Sequence, residues 1–389
     1  MSETPFRRID RIQPFRVMAL LGEARELEQQ GRDIVHMEIG EPDFPTPAPV
    51  IAAATRAIAE GEVHYTPAVG LSALREAIAG FYQDRYGVSL PAQRIVVTPG
   101  ASGALLLALG VLLEPGQGVM LADPGYPCNR NFAHFLDARV QPVPVQADTG
   151  YQLSLAQVQQ HWQTDTRVVM LASPANPTGT LIPPDELRAI IDWVEHQGGT
   201  VIVDEIYHGL VYGDAPPTAL ACGDRVFVIN SFSKYFSMTG WRIGWLVAPA
   251  DQIPALDKLA QNLFLSASTP AQHAALAAFE PQTLAILEQR REAFEQRRDF
   301  LLPALREIGF DIKVEPQGAF YLYADCSRFT DNSFVFARSL LQEIGVAITP
   351  GNDFGDNQPE RHVRFAYTNS LDRLKEGVRR LQKRLVPDG

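Results

Sequence analysis

Between residues 50 and 250, short apolar runs recur at intervals along the chain. They are Ile95–Thr98, Val119–Ala122, Val168–Leu171, Thr200–Val203 and Val226–Ile229. Each is continuous rather than alternating and rich in β-branched residues. That pattern predicts strands buried on both faces of a mainly parallel sheet. Helical patterns separate several runs, among them Pro184–Gln197, and Leu105–Leu113 reads as a short buried helix. In such sheets ligands gather outside the carboxyl ends of the strands. Polar residues stand there: Ser102, Asp123, Asn176, Asp204 and Ser231 follow the five runs in turn.

The flanks have a different rhythm. Met18–Gln30 predicts an amphipathic helix that stops at Gly31. Pro42, Pro45, Pro47 and Pro49 then exclude helix and predict an arm or interdomain crossing. Beyond residue 280, Leu284–Ile308 and Leu371–Leu385 read as amphipathic helices. Phe320–Tyr323 and Val363–Tyr367 read as strands, and Lys313 alternates with Ile312 and Val314 as an outward strand position does. The expected division is an arm with part of a small unit over 1–45, a large α/β unit over 46–280, and a small α+β unit over 281–389. No internal repeat appears.

Composition narrows the function classes. A formal charge of −11 over 389 residues argues against a nucleic-acid partner. Cys128, Cys222 and Cys326 are odd in number and form no CxxC pair, so reduced thiols in the cytoplasm are expected. Met1–Phe15 has no apolar segment of the signal-peptide kind, and no run is long enough to span a bilayer. HExxH, GxxxxGK and GxGxxG are absent, so no catalytic metal, P-loop or dinucleotide site is expected.

Lysine is scarce: five lysines stand against 29 arginines, and none precedes Lys234. Lys258, Lys375 and Lys383 fall in charged helical patterns. Lys234 instead follows a buried-strand pattern, in the hydroxyl-rich stretch from Asn230 to Arg242. A lysine at a strand's carboxyl end can form an imine if its neighbours lower its pKa. A lone loop lysine is more often a surface cation, so the surroundings decide. Asp204 closes its run as a buried carboxylate that needs a cationic partner, with a helix cap as its plain alternative. Pro99-Gly-Ala-Ser-Gly-Ala104 follows a strand and opens a helix, where free amides can cradle an anion.

Ser231-Phe-Ser-Lys234 with Met238-Thr-Gly-Trp-Arg242 resembles the pyridoxal 5′-phosphate (PLP) lysine signature of the class I/II aminotransferases, fold-type I, of the aspartate aminotransferase superfamily. The resemblance runs from Gly40-Glu-Pro-Asp-Phe44 to Arg364-Phe-Ala-Tyr367, with the motifs in family order. It implies a PLP Schiff base on Lys234, Asp204 on the pyridine nitrogen, and Tyr207 and Asn176 on the ring oxygen. It implies phosphate held by Ala101, Ser102, Ser231 and Arg242, with Ser233 as a helper. Tyr126 would stack on the ring, and Tyr65 would reach the phosphate of a neighbouring subunit in a homodimer with shared sites. Arg364 would clamp the substrate carboxylate, beside Gly40. For Arg364 the strand pattern alone also allows a surface arginine on an edge strand. The implied reaction is ping-pong transamination between an L-amino acid and a 2-oxo acid. A PLP-dependent lyase on the same scaffold is the alternative, and a PLP-sensing regulator a distant one. No spacing identifies the extra cation of dicarboxylate-specific members; Arg7, Arg8, Arg11, Arg16 and Arg130 are unassigned.

Overall fold

The computed structural model describes residues 7–386, with side chains from residue 9 onward. The ends of the first and last expected units, and the side chains of Arg7 and Arg8, lie outside the described residues. In chain order the strands are β1 (Val35–His36), β2 (Ile95–Thr98), β3 (Gly118–Asp123), β4 (Arg139–Pro144), β5 (Thr166–Ala172) and β6 (Thr200–Asp204). Then follow β7 (Phe227–Ser231), β8 (Gly244–Val247), β9 (Tyr321–Asp325), β10 (Val346–Ala347), β11 (Thr349–Pro350) and β12 (His362–Ala366).

The central sheet has the order β2-β8-β7-β6-β5-β3-β4. Strands β4, β3, β5, β6 and β7 run parallel, while β8 is antiparallel to both of its neighbours, β2 and β7. The five apolar runs all lie in this sheet. Successive side chains go to opposite faces: Val96, Val168, Met170, Ile202 and Ile229 pack on one side, and Val97, Val169, Leu171, Val203 and Val228 on the other. Both faces are therefore core, which is why the runs are continuous. Helices cover both sides, giving an α/β fold with a mostly parallel sheet. Each fully buried aliphatic side chain contributes about 1.5–3 kcal/mol, so the sheet is rigid where its strands end.

A second, three-stranded antiparallel sheet has the order β11-β12-β9, and β1 pairs in parallel with β10. The residues just before Gly40 thus belong with strands from the last fifth of the chain. Three expectations need correction. Helix Ala48–Ala59 contains Pro49, in the first turn, where a missing N–H costs nothing. Lys313 is on no strand; its neighbour Asp311 makes an isolated bridge to Asp325, and Lys313 lies 3.7 Å from the Asp311 carboxylate. The helix expected from Met18 starts at Arg16, and a short helix, Arg7–Asp10, precedes it. Among the described residues no helix is long and apolar enough to cross a membrane.

Candidate active site

Strand ends set the first wall. Asp204 closes β6, and its Oδ1 accepts the Ile206 amide at 3.0 Å; a turn follows it and not the helix that the plain capping alternative required. Burial pushes its carboxyl up to about 7, and among the described residues no guanidinium or ammonium hydrogen-bonds it. Three residues on, the buried Tyr207 hydroxyl meets that of Tyr321 at 2.7 Å. Strand β7 ends at Ser231, and the loop beyond it delivers Lys234. The Lys234 Nζ donates to the Gly40 carbonyl at 2.6 Å and lies 5.7 Å from the Tyr207 ring centre. Burial lowers its pKa from 10.5 to about 8; Glu41 opposes the shift, and Arg364 and Arg242 reinforce it.

The facing wall comes from the small sheet. Arg364 is in the middle strand β12, between Thr349 of β11 and Tyr323 of β9, and is 5 % exposed. The surface-arginine alternative is therefore overturned. Its Nη1 donates to Asn176 Oδ1 at 2.9 Å, and its Nη2 to the Glu38 carbonyl at 2.6 Å and to Thr349 Oγ1 at 3.2 Å. Its Nε is buried without a hydrogen-bond partner. The guanidinium carbon is 4.2 Å from the Tyr321 ring centre and 4.9 Å from that of Phe354. Gly40 makes this packing possible: a Cβ there would fall 1.9 Å from the Tyr321 hydroxyl.

The two walls, with Tyr126 and Asn176, enclose a cavity of about 270 Å³. Lys234, Asp204, Tyr207, Tyr126, Asn176, Gly40 and Arg364 all line it. Ala101, Ser102, Ser231 and Arg242 do not; they form a cradle at the start of helix Gly100–Leu112. No side chain caps that helix, so its first amides are free. Gly100 has φ 71°, and a Cβ on it would sit 2.8 Å from Arg242 Nη2. Ser231 Oγ donates to Ser233 Oγ at 3.0 Å beside them. A helix N-terminus, a guanidinium and hydroxyls fit a phosphate dianion. A buried carboxylate and a low-pKa amine, apart from that cradle, fit a protonated pyridine ring carrying an aldehyde. Tyr65 is 83 % exposed and does not line its own chain's cavity.

Sequence reasoning missed much of the second wall. Tyr321 reads as one more apolar strand residue, and Phe354 sits in a turn-rich stretch with no chemical signal. Asp353 accepts the Arg16 and Val17 amides, both at 2.8 Å, and so caps a helix whose own N-cap residue, Phe15, has no side-chain acceptor. This capping brings Phe15, Val17 and Met18 into the lining. Of the unassigned arginines, Arg11, Arg16 and Arg130 do not line the cavity.

Fold and cavity together define an α/β enzyme built to bind a phosphorylated aromatic aldehyde and a carboxylate substrate. The family model for aminotransferase class I and II matches residues 32–381, and the chain belongs to that family. It is 40 % identical over 372 residues to the valine–pyruvate aminotransferase of Mycobacterium tuberculosis, covering 95 % of this chain and 96 % of the relative. It is 35 % identical to the (5-formylfuran-3-yl)methyl phosphate transaminase of Methanocaldococcus jannaschii, covering 97 % and 98 %. A crystal structure of an aminotransferase from Mycobacterium tuberculosis superposes with a TM-score of 0.95 at 38 % identity, covering 99 % of both chains. The Thermus thermophilus aspartate aminotransferase with maleate does so at 0.92 and 32 %, covering 98 % and 100 %. The protein is an aminotransferase, and its cofactor is PLP.

Proposed function

We propose that the protein works by a ping-pong transamination, with PLP held as a Schiff base by Lys234. The observation that carries this reading is the Lys234 amine, with its pKa lowered to about 8, in one cavity with Asp204 and Arg364. Bound PLP supplies the electron sink for negative charge at the substrate Cα. Asp204 holds the ring nitrogen protonated, and that cation would in turn draw the carboxyl back down from about 7. Tyr207 and Asn176 would donate to the ring oxygen, Asn176 through its amide nitrogen because Arg364 occupies Oδ1. Ala101, Ser102, Ser231 and Arg242 hold the phosphate, and Tyr126 covers the ring. The Arg364 fork binds the α-carboxylate, and the Lys234 amine removes and returns the proton at Cα.

The donor we infer is a neutral apolar amino acid. Phe15, Val17, Met18 and Ile39 line the same cavity as Arg364, and a relative is a valine–pyruvate aminotransferase. We further propose a large unit over 46–280, a small one over the flanking segments, and a homodimer in which Tyr65 reaches the partner's phosphate. Ile51, Ile58, Val63, Tyr65, Leu263 and Leu265 are all exposed large hydrophobics. The Thr269 hydroxyl, bonded to the His64 carbonyl at 2.6 Å, ties the loop carrying Tyr65 to helix Thr269–Leu276.

The test is an absorption spectrum of the holoenzyme with single L-amino acids and no acceptor. The cofactor band should bleach with one equivalent of 2-oxo acid per site, fastest for valine, leucine or alanine and slowest for aspartate. A band that persists while ammonia is released moves the assignment to a lyase.

A further inference from the structure

Residues 353–357 make contacts in three directions. Asp353 caps helix Arg16–Gln29, and Phe354 lies against the Arg364 guanidinium. The rest of the loop is fastened to the end of β3 in the central sheet. Gly125 N donates to the Phe354 carbonyl at 2.8 Å, and Asp356 N to Asp123 Oδ2 at 2.9 Å. Asn357 Nδ2 bridges the carbonyls of Asp123 and Val145, at 3.1 and 3.0 Å. Gly355 lies so close that a Cβ on it would fall 1.6 Å from Asp123 Oδ1. Asp123 itself is 5 % exposed, and its Oδ1 has no hydrogen-bond partner. Burying a carboxyl with one orphaned oxygen is unfavourable, so its retention points to the loop it holds.

The fastening matters for Arg364 because that side chain is not fully fixed by hydrogen bonds. Its Nε is unpartnered, so the rings of Tyr321 and Phe354 complete its setting. Tyr321 belongs to the same sheet as Arg364. Phe354 does not, and its place depends on the loop.

We propose that Asp123, Gly355 and Asn357 form a clasp that positions Phe354 against Arg364, and thereby sets the affinity of the site for carboxylates. The three are positioning residues, and the inference rests on the assignment of Arg364 to the substrate carboxylate. Because the clasp acts on carboxylate binding and not on the proton transfers, it should separate KM from kcat.

The experiment uses holoenzyme variants Asn357→Ala and Gly355→Ala, with 4-methylpentanoate as an unreactive monocarboxylate competitor. The inhibition constant and the amino-acid KM should rise together, by roughly tenfold for loss of a partly buried cation–ring contact. The kcat should stay within about twofold, and the cofactor band should not move. Asp123→Ala should behave like Asn357→Ala, and Asp123→Asn, which keeps an acceptor for the Asp356 amide, should restore the affinity. Unchanged constants with only a lower thermal midpoint in Asn357→Ala overturn the clasp, and so does a matching loss of kcat with a shifted band. Arg364→Lys separates the two readings. If it leaves 4-methylpentanoate binding intact, the carboxylate assignment fails and takes the clasp with it. If it weakens binding while Asn357→Ala does not, the clasp alone fails.

Discussion

One wall of the cavity is made by strand ends, the other by segments that meet from distant parts of the chain. Asp204 closes one strand buried on both faces and Lys234 stands three residues beyond the end of the next, so the sheet fixes where their side chains start. The opposite wall joins Glu38 and Gly40, Tyr321, Thr349, Phe354 and Arg364, with Asn176 meeting Arg364 from the loop after β5, and its geometry exists only once two sheets have met. The difference divides the labour. The groups proposed to make and break bonds sit on the rigid wall, where sub-ångström placement matters most. In the proposed assignment, carboxylate recognition falls on the wall that two sheets assemble, where binding could be coupled to closure.

That division can be broken most decisively at Lys234. Lys234→Ala should lower turnover by about 10⁴-fold or more, while 4-methylpentanoate still binds the holo form through Arg364. In wild-type apoprotein, the rate of cofactor capture should rise with pH through about 8, because only the free amine reacts and burial has brought its pKa down from 10.5. A midpoint near 10, read by stopped-flow absorbance, would show that the wall leaves the lysine as solvent would.

Tyr321 sharpens the comparison because it belongs to both walls: its hydroxyl touches Tyr207, and its ring touches Arg364. Tyr321→Phe keeps the ring and removes one buried hydrogen bond, about 0.5–1.5 kcal/mol. The expected outcome is a fall in kcat of up to about tenfold with KM nearly unchanged. Tyr321→Leu, which also removes the ring, should raise KM as well. If Phe and Leu act alike in steady-state kinetics, the two walls are not functionally separate at this residue.

The same contrast explains what was legible beforehand. Strands buried on both faces announce themselves as unbroken apolar runs, and the polar residue after each run falls where a parallel sheet exposes its ligands. Asp204 and Lys234 could therefore be found locally. Strand β4 was not found, because its prolines and half-exposed alternation are those of an edge. Strand β8 is four residues long and reads as the tail of the Lys234 motif. On the second wall, Arg364 was singled out by resemblance, while the strand pattern alone also allowed a surface arginine on an edge strand. Tyr321 looked like core, since a hydroxyl one ring-length from the backbone leaves no trace in the apolar pattern. Phe354 and Asp353 lie in a turn whose composition tells of bends and nothing of what the bend brings together.

The assembled wall also carries a titratable brace. His36 Nδ1 meets Glu38 Oε1 at 2.7 Å, its Nε2 meets Glu28 Oε1 at 3.1 Å, and Glu38 is wholly buried. The Glu38 hydrogen bond raises the His36 pKa from 6.5 to about 9, against the desolvation that would lower it. A raised folded-state pKa means that the folded form holds the proton more tightly than the unfolded chain. The stabilisation is therefore complete below about pH 6.5 and is lost as pH rises through about 9. His36 is 29 % exposed and Glu28 43 %, so solvent screening keeps the effect small, roughly 1–3 °C in the thermal midpoint. The wild-type midpoint should fall between pH 6.5 and 9.5, and His36→Gln should start lower and lose less over the same range. Because the Glu38 carbonyl holds Arg364, the same rise in pH should weaken 4-methylpentanoate binding in wild type more than in His36→Gln. Parallel pH curves for the two proteins would mean that the brace and the carboxylate wall are not coupled.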